Sequence, residues 1–321
     1  MAKDSVRLYV VSDIHASEKA WRKMLNAARM RLYKADAVLY AGDLTGKAMV
    51  PVVEVDDGEY EAELAGRRRR AKGERELERL EQDIANLGYY PFRTNADEMD
   101  RLRAEPDGVR ERFHEEIVER VRRWMTLAAE RMEGSGVPIY LIPGNDDPYD
   151  IDVALADSEY CVNVDGRVVD IPGNLQVLGS GKSNQTPWST PREVPDDEFA
   201  DLLTKLSDEA KDPRRTIFLI HCPPHDSGLD TAPLLDANLR PTASAGDLLR
   251  GPVGSTGVRR AIEEFRPLLG LHGHIHESGG EARVGDTHVL NPGSEAAFGI
   301  LRGYVVDVGP DGIDKVFRVE G

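Results

Sequence analysis

Five short apolar runs punctuate the chain, and each gives way abruptly to polar residues. Val6–Val11 runs into Ser-Asp13-Ile-His15, Ala37–Ala41 into Gly42-Asp43, and Val137–Ile142 into Pro-Gly144-Asn145-Asp146-Asp147. Ile217–Ile220 runs into His221-Cys-Pro-Pro-His225, and Leu268–Leu271 into His272-Gly-His274-Ile-His276. Near-continuous Val, Ile and Leu over this length reads as strand covered on both faces, because alternation is lost when neither face meets water. Stretches at helical spacing, Lys19–Leu32 and Val258–Phe265, lie between such runs. The pattern predicts an α/β fold, and the carboxyl ends of such strands are where open sheets build their sites.

Between the second and third runs the texture changes. VVEVDDGEYEAEL, starting at Val52, predicts a hairpin turning at Asp57-Gly58. Charged sequence that predicts helices follows, over Arg67–Leu87, Asp97–Arg103 and Val109–Met132. The last carries Phe113, Ile117, Val121, Trp124 and Leu127 along one face. Residues 52–134 therefore read as a mostly helical insertion, a cap hung from a single domain that spans residues 1–321. The run Arg67-Arg68-Arg69-Arg70 reads as a solvated face balanced by neighbouring glutamates rather than as a phosphate grip. Gly179–Asp212 is rich in Gly, Ser and Pro and then helical, and the segment from Arg283 onward reads as antiparallel hairpins.

Composition narrows the class of partner. With 57 acidic and 41 basic residues the formal charge is −16, which argues against general nucleic-acid binding or docking on anionic membrane. A phosphate-bearing substrate stays open, because bound cations reverse the local sign inside a cleft. Two cysteines, Cys161 and Cys222, make no disulfide framework. The start goes straight into a strand-like run without a leader pattern, and no apolar run is long enough for a membrane span, so a cytoplasmic protein is expected.

The strand-end residues Asp13, His15, Asp43, Asn145, His221, His274 and His276 comprise two carboxylates, one amide and four imidazoles. That donor set suits Mn, Fe, Zn or Ni. Seven ligands exceed one transition ion and suit two, if one carboxylate is shared. Two ions about 3.5–4 Å apart activate a bridging hydroxide and clamp phosphoryl oxygens for in-line attack. Single Asp-x-His or His-x-His pairs are commonplace, but five clusters each closing an apolar strand are not. His114, alone on the insertion, reads as a surface or helix-packing residue.

The order D-x-H, G-D, G-N-x-D, a lone His after a strand and G-H-x-H resembles the calcineurin-like metallophosphoesterase superfamily. It is carried here by Asp13/His15, Gly42/Asp43, Gly144–Asp147, His221 and Gly273–His276. Asn291–Ser294, NPGS, resembles a segment that commonly follows, and GSGKSNQTP and GHIHESGG resemble a bacterial and archaeal branch of predicted phosphoesterases. The resemblance implies a four-layer α/β/β/α sandwich. It implies one ion held by Asp13, His15 and His276, a second held by Asn145, His221 and His274, and Asp43 bridging them.

One position departs from the family pattern. Where most members have a histidine beside the scissile oxygen, this chain has Asp146. His225 is a candidate replacement for the leaving-group acid, alongside a loop-packing role. Asp147 is expected to orient a ligand imidazole, and Asn184 to line the substrate cleft. Gly179-Ser-Gly181-Lys182-Ser183 imitates a P-loop, but Gln176 stands where its first glycine belongs. Cys222 is expected to face away from its neighbour His221.

The expected function is metal-dependent hydrolysis of a small-molecule or nucleotide phosphodiester. A phosphomonoesterase or nucleotide pyrophosphatase of the same fold is the alternative within that chemistry, and a non-catalytic binding scaffold the alternative outside it.

Overall fold

The computed structural model describes residues 5–236, 238–244 and 246–321. Two six-stranded sheets form its centre. The first runs, edge to edge, Gly312–Glu320, Arg302–Gly309, Val6–Val11, Ala37–Ala41, Ile139–Ile142 and Cys161–Asn163. The second runs Gly280–Val284, Thr287–Asn291, Leu269–Leu271, Thr216–Ile220, Leu175–Ser180 and Val168–Ile171. All five predicted strands are present, and within each sheet those that carry site residues lie parallel to one another. Their polar ends therefore emerge on one side.

The apolar runs are continuous because each strand serves two cores. In Val6–Val11, Leu8 and Val10 face the second sheet, with Leu39, Ile217, Leu219 and Leu271. Tyr9 and Val11 face outward, onto Trp21, Met24, Trp124 and Met125. The second sheet repeats the arrangement: Phe218 and Ile220 point outward to Phe199, Leu203, Val258 and Ile262. Helices Glu18–Arg29 and Pro106–Met132 cover one side, and Asp196–Ser207 and Thr256–Phe265 the other. The result is the expected α/β/β/α sandwich. The C-terminal hairpins are also antiparallel as expected, one on the edge of each sheet.

The inserted region departs from its expected composition. Arg67–Leu87 is not one helix: Arg67–Lys72 is a strand and Glu74–Asn86 a helix. Ala65 and Gly66 turn the chain back with positive φ of 51° and 71°. Alternate glutamates then face alternate basic residues across the hairpin, Glu63 opposite Arg68, Glu61 opposite Arg70 and Glu59 opposite Lys72. Opposite charges on facing positions stabilise the strand pairing. A four-stranded sheet results, in the order Arg67–Lys72, Glu59–Leu64, Met49–Asp56, Tyr90–Asn95. The Asp57-Gly58 hairpin turn is where it was expected. This lobe has a small core of its own, around Val52, Leu64, Leu77 and Ile84. The long helix Pro106–Met132 sends Val121, Trp124 and Ala128 into the core of the first sheet, where Trp124 stacks on Trp21 at 4.7 Å.

Candidate metal centre

The loops that follow the five strands meet between the two sheets. Asp13 and His15, Asp43, and Asn145 come from the first sheet; His221, and His274 with His276, come from the second. Backbone bonds sew the loops together: Asp13 N donates to Gly42 O at 2.9 Å, His15 N to Asp43 O at 3.1 Å, and Gly273 N to His221 O at 2.9 Å. Asp13, His15, Asp43 and His274 all sit at positive φ, between 45° and 68°. That conformation is unfavourable for side chains with a Cβ and persists only where the surroundings over-determine it. Close approach demands the neighbouring glycines. A Cβ on Gly42 would lie 2.3 Å from His221 Nδ1, and one on Gly273 would lie 2.3 Å from Asp13 Oδ2.

One atom from each of Asp13, His15, Asp43 and His276 lies within 4.8 Å of the others. His15 Nε2 is 3.5 Å from Asp43 Oδ2, and His276 Nε2 is 3.4 Å from Asp13 Oδ1. On the other side of Asp43, its Oδ1 lies 3.4 Å from His221 Nε2, which is 3.0 Å from Asn145 Oδ1. The rings of His221 and His274 meet edge-on at 5.2 Å. Asp43 thus stands between the two groups, as a shared ligand must.

Tautomers are set from outside the centre. His221 Nδ1 donates to Ala41 O at 2.8 Å and His15 Nδ1 to Thr45 O at 3.2 Å, which turns both Nε2 atoms inward. Asn145 is aimed in the same way: its Nδ2 donates to Thr190 Oγ1 at 2.8 Å, so Oδ1 faces His221. Thr190 is held in turn by Glu193, 2.7 Å away.

The residues fit cations. Asp13 Oδ2 is buried without a hydrogen-bond partner, although two charged oxygens in so dry a place require donors or a cation. His15 Nε2 and His276 Nε2 approach to 2.8 Å, and with Nδ1 of His15 already donating, its Nε2 presents a lone pair there. Burial works against a charge on His221, yet the Asp43 carboxylate beside it raises its pKa to about 10, the proton being one that a bound cation would displace. Burial, with the positive His221 beside it, drops His274 to about 4, so this imidazole is neutral and ready to ligate. Nitrogen and oxygen donors without thiolate match Mn, Fe, Zn or Ni.

The remaining expected site residues are distributed differently. Asp147 touches no imidazole: its carboxylate accepts from Leu44 N, Thr45 N, Thr45 Oγ1 and Gly144 N at 2.7–3.0 Å. It clips the Asp43 loop to the Asn145 loop, because four donors converge on it where an imidazole would have offered one. Asn184 does not aim into the cleft either. Its Nδ2 donates to Val253 O and its Oδ1 accepts from Cys222 Sγ, which ties the half-buried amide to the fold. Cys222 belongs to the outer core of the second sheet, away from the metal ligands. His225 lies 3.8 Å from Asp230 in the loop after His221. Gly179–Ser183 ends a strand of the second sheet with no helix behind it, unlike a P-loop. His114 is exposed and pairs with Asp150. Asn291 and Ser294 of NPGS support the ligands: Asn291 Nδ2 donates to Ile275 O, and Ser294 Oγ to Asp13 O.

Asp146 has a partner that the sequence motifs do not show. Lys47 Nζ lies 2.5 Å from Asp146 Oδ2, while the Asp146 backbone N donates to Asp43 Oδ1 at 3.2 Å.

The sequence pattern of the calcineurin-like phosphoesterases matches residues 6–278, which takes in every ligand described above. The chain belongs to that family. That family works with a dinuclear divalent metal centre. The chain is 30% identical over 162 residues to the uncharacterized protein MJ1162 of Methanocaldococcus jannaschii, a match covering 50% of this chain and 66%, just under two thirds, of that relative. TT1561 of Thermus thermophilus shares the fold with a TM-score of 0.55 at 15% identity, 98% of each chain being covered. A further crystal structure does so with a TM-score of 0.58 at 17% identity, over 98% of this chain and 99% of the other. Among the described residues no helix is long and apolar enough to cross a membrane.

Proposed function

We propose that the chain hydrolyses phosphodiesters at this centre. One ion is assigned to Asp13, His15 and His276, a second to Asn145, His221 and His274, and both to Asp43. Two such ions supply positive charge to the phosphoryl oxygens and lower the pKa of water.

The observation that carries the diester reading is the Asp146–Lys47 pair. A side chain at position 146 that protonates the leaving oxygen must have a proton to give. Burial and Asp43 raise the Asp146 pKa, while the ammonium 2.5 Å away opposes them and favours the carboxylate. The pair is neutral as a whole, so it adds no surplus positive charge for the extra anionic oxygen of a monoester. A diester carries a single charge, and the ions suffice for it.

The test is kcat/KM over matched aryl mono- and diesters with Mn supplied, after elemental analysis of the purified protein. Diester preference with two ions per chain is the expected result. Monoester or pyrophosphate preference, or full turnover with one ion, would overturn it.

A further inference from the structure

Lys47 belongs to no metal-ligand block, yet the fold places it deliberately. It ends the loop Gly42–Lys47, every residue of which before it is pinned. Leu44 N and Thr45 N donate to Asp147, and Gly46 N donates to Tyr90 Oη at 2.9 Å. At Gly46 the chain passes so close to Gly88 that a Cβ would lie 2.1 Å from its carbonyl oxygen. The loop cannot drift, and Asp146 fixes the far end of the side chain. Asp146 is itself tied through its backbone to Asp43, between the two groups of ligands. An ammonium has three N–H donors and Asp146 occupies one, while the Lys47 side chain is 66% exposed. Two donors are therefore free of Asp146.

We propose that Lys47 is the group that meets the departing oxygen of the substrate, and that Asp146 is its positioning residue. This rests on the phosphodiesterase reading. In the hydrolysis, water adds to phosphorus and gives up a proton to solvent, and the bond to the leaving oxygen breaks, its electron pair going to that oxygen. The charge that develops there is met by an N–H of Lys47, and the oxyanion is later protonated by solvent. No proton need leave the lysine. Asp146 beside it favours the charged ammonium. The neutral pair gives little attraction to the intact ester, whose leaving oxygen is uncharged, and more to the transition state. Such differential binding accelerates a reaction.

The experiment is a leaving-group series of methyl aryl phosphodiesters, from dinitrophenyl to phenyl, read with Mn on the wild type, Lys47→Met, Lys47→Gln, Lys47→Arg, Asp146→Asn and the double variant Lys47→Met/Asp146→Asn. Lys47→Met and Lys47→Gln are expected to lower kcat/KM on the phenyl ester by about 10²-fold, the size of one lost transition-state donor. They should leave the dinitrophenyl ester nearly unchanged, so the dependence on leaving-group pKa steepens. Lys47→Arg should restore most of the slope. Asp146→Asn should steepen it part-way and add nothing once Lys47 is gone, and metal content by elemental analysis should match the wild type throughout. An equal loss on every ester, no loss, or an Asp146→Asn effect that persists in the double variant overturns the proposal. Monoester preference in the wild type overturns the phosphodiesterase reading instead, and the slope on aryl monoesters then decides the role of Lys47.

Discussion

Gly144 lies so close to Asp43 that a methyl group in place of its hydrogen would fall 2.0 Å from the Asp43 Oδ1 and 2.3 Å from its backbone nitrogen. The loop before Asn145 is thus in van der Waals register with the carboxylate proposed to be shared by both ions. Neither contact partner is a flexible tip: the backbone of Asp43 is fixed by Tyr40 Oη, which donates to its carbonyl at 2.9 Å. Gly144→Ala should push Asp43 out of place and cost activity by about 10²-fold, on the scale of a misplaced site residue. Elemental analysis should show metal lost from the purified variant. Gly108→Ala, with open space around the Cβ, is the control that should change neither.

Asp147 is the second place where a single change should be felt through the frame. Removing its carboxylate strands backbone donors of Leu44, Thr45 and Gly144 in a buried place. Each unsatisfied group costs about 1–3 kcal/mol, less what water entering the gap recovers. Asp147→Ala should therefore lower unfolding stability by about 3 kcal/mol. Chemical denaturation measures it, and a loss below about 1 kcal/mol, less than one stranded donor, would mean the clip is dispensable.

The lobe should be separable from the fold. Met49 and Tyr90 are register partners on neighbouring parallel strands, so the chain leaves and returns at one spot, next to the Asp43 loop. Deleting Val50–Tyr89 and joining the ends with a short Gly/Ser linker keeps Tyr90, which Gly46 needs, and the long helix. We expect a folded protein that still cleaves a small activated diester but ranks larger diesters differently. An unchanged substrate ranking would show that the lobe does not cap the cleft. Trp124→Ala, in contrast, should cost about 3–5 kcal/mol, as expected of a large buried side chain.

Acid sensitivity has a local source in the pair Arg7–Asp307. Two bonds of 2.5 and 2.7 Å join the guanidinium to the carboxylate, and they hold the Asp307 pKa below its ordinary value. A carboxyl group with a depressed folded pKa contributes stability above its unfolded pKa of about 3.9 and loses it as pH falls through the folded value. Asp307→Asn should lower stability at neutral pH and flatten its decline between about pH 5 and pH 3. Urea midpoints across that range provide the measurement.

These residues also show what the amino-acid sequence reveals and what it conceals. The meeting of Asp13, His15, Asp43, Asn145, His221, His274 and His276 is legible because buried parallel strands need unbroken apolar runs, and each of these residues follows its run by a few positions. The Arg67–Lys72 strand escapes the helical reading although its signal is there, glutamates at 59, 61 and 63 mirrored by basic residues at 68, 70 and 72 across Ala65-Gly66. Helical propensity of the following glutamates masks that alternation. Lys47 and Thr190 carry no pattern of their own, because each acts on a residue distant in sequence, Asp146 and Asn145. Such contacts follow from loop register, which is set only once both sheets have assembled. Asp147 stands out in its motif, but its true partners, on the Asp43 loop, are hidden for the same reason.

The positive φ angles of Asp13, His15, Asp43 and His274, together with two desolvated carboxylates, have a consequence at the level of the cell. Strain of this kind costs about 1–3 kcal/mol per residue and weighs only on the folded chain. Ions that bind the folded chain alone shift its equilibrium by mass action, by about 2.7 kcal/mol per site at a hundred times the dissociation constant. Uptake of metal and completion of folding then share one free energy. Scarcity of metal would first reduce how much protein escapes proteolysis, and only afterwards how fast the surviving molecules turn over.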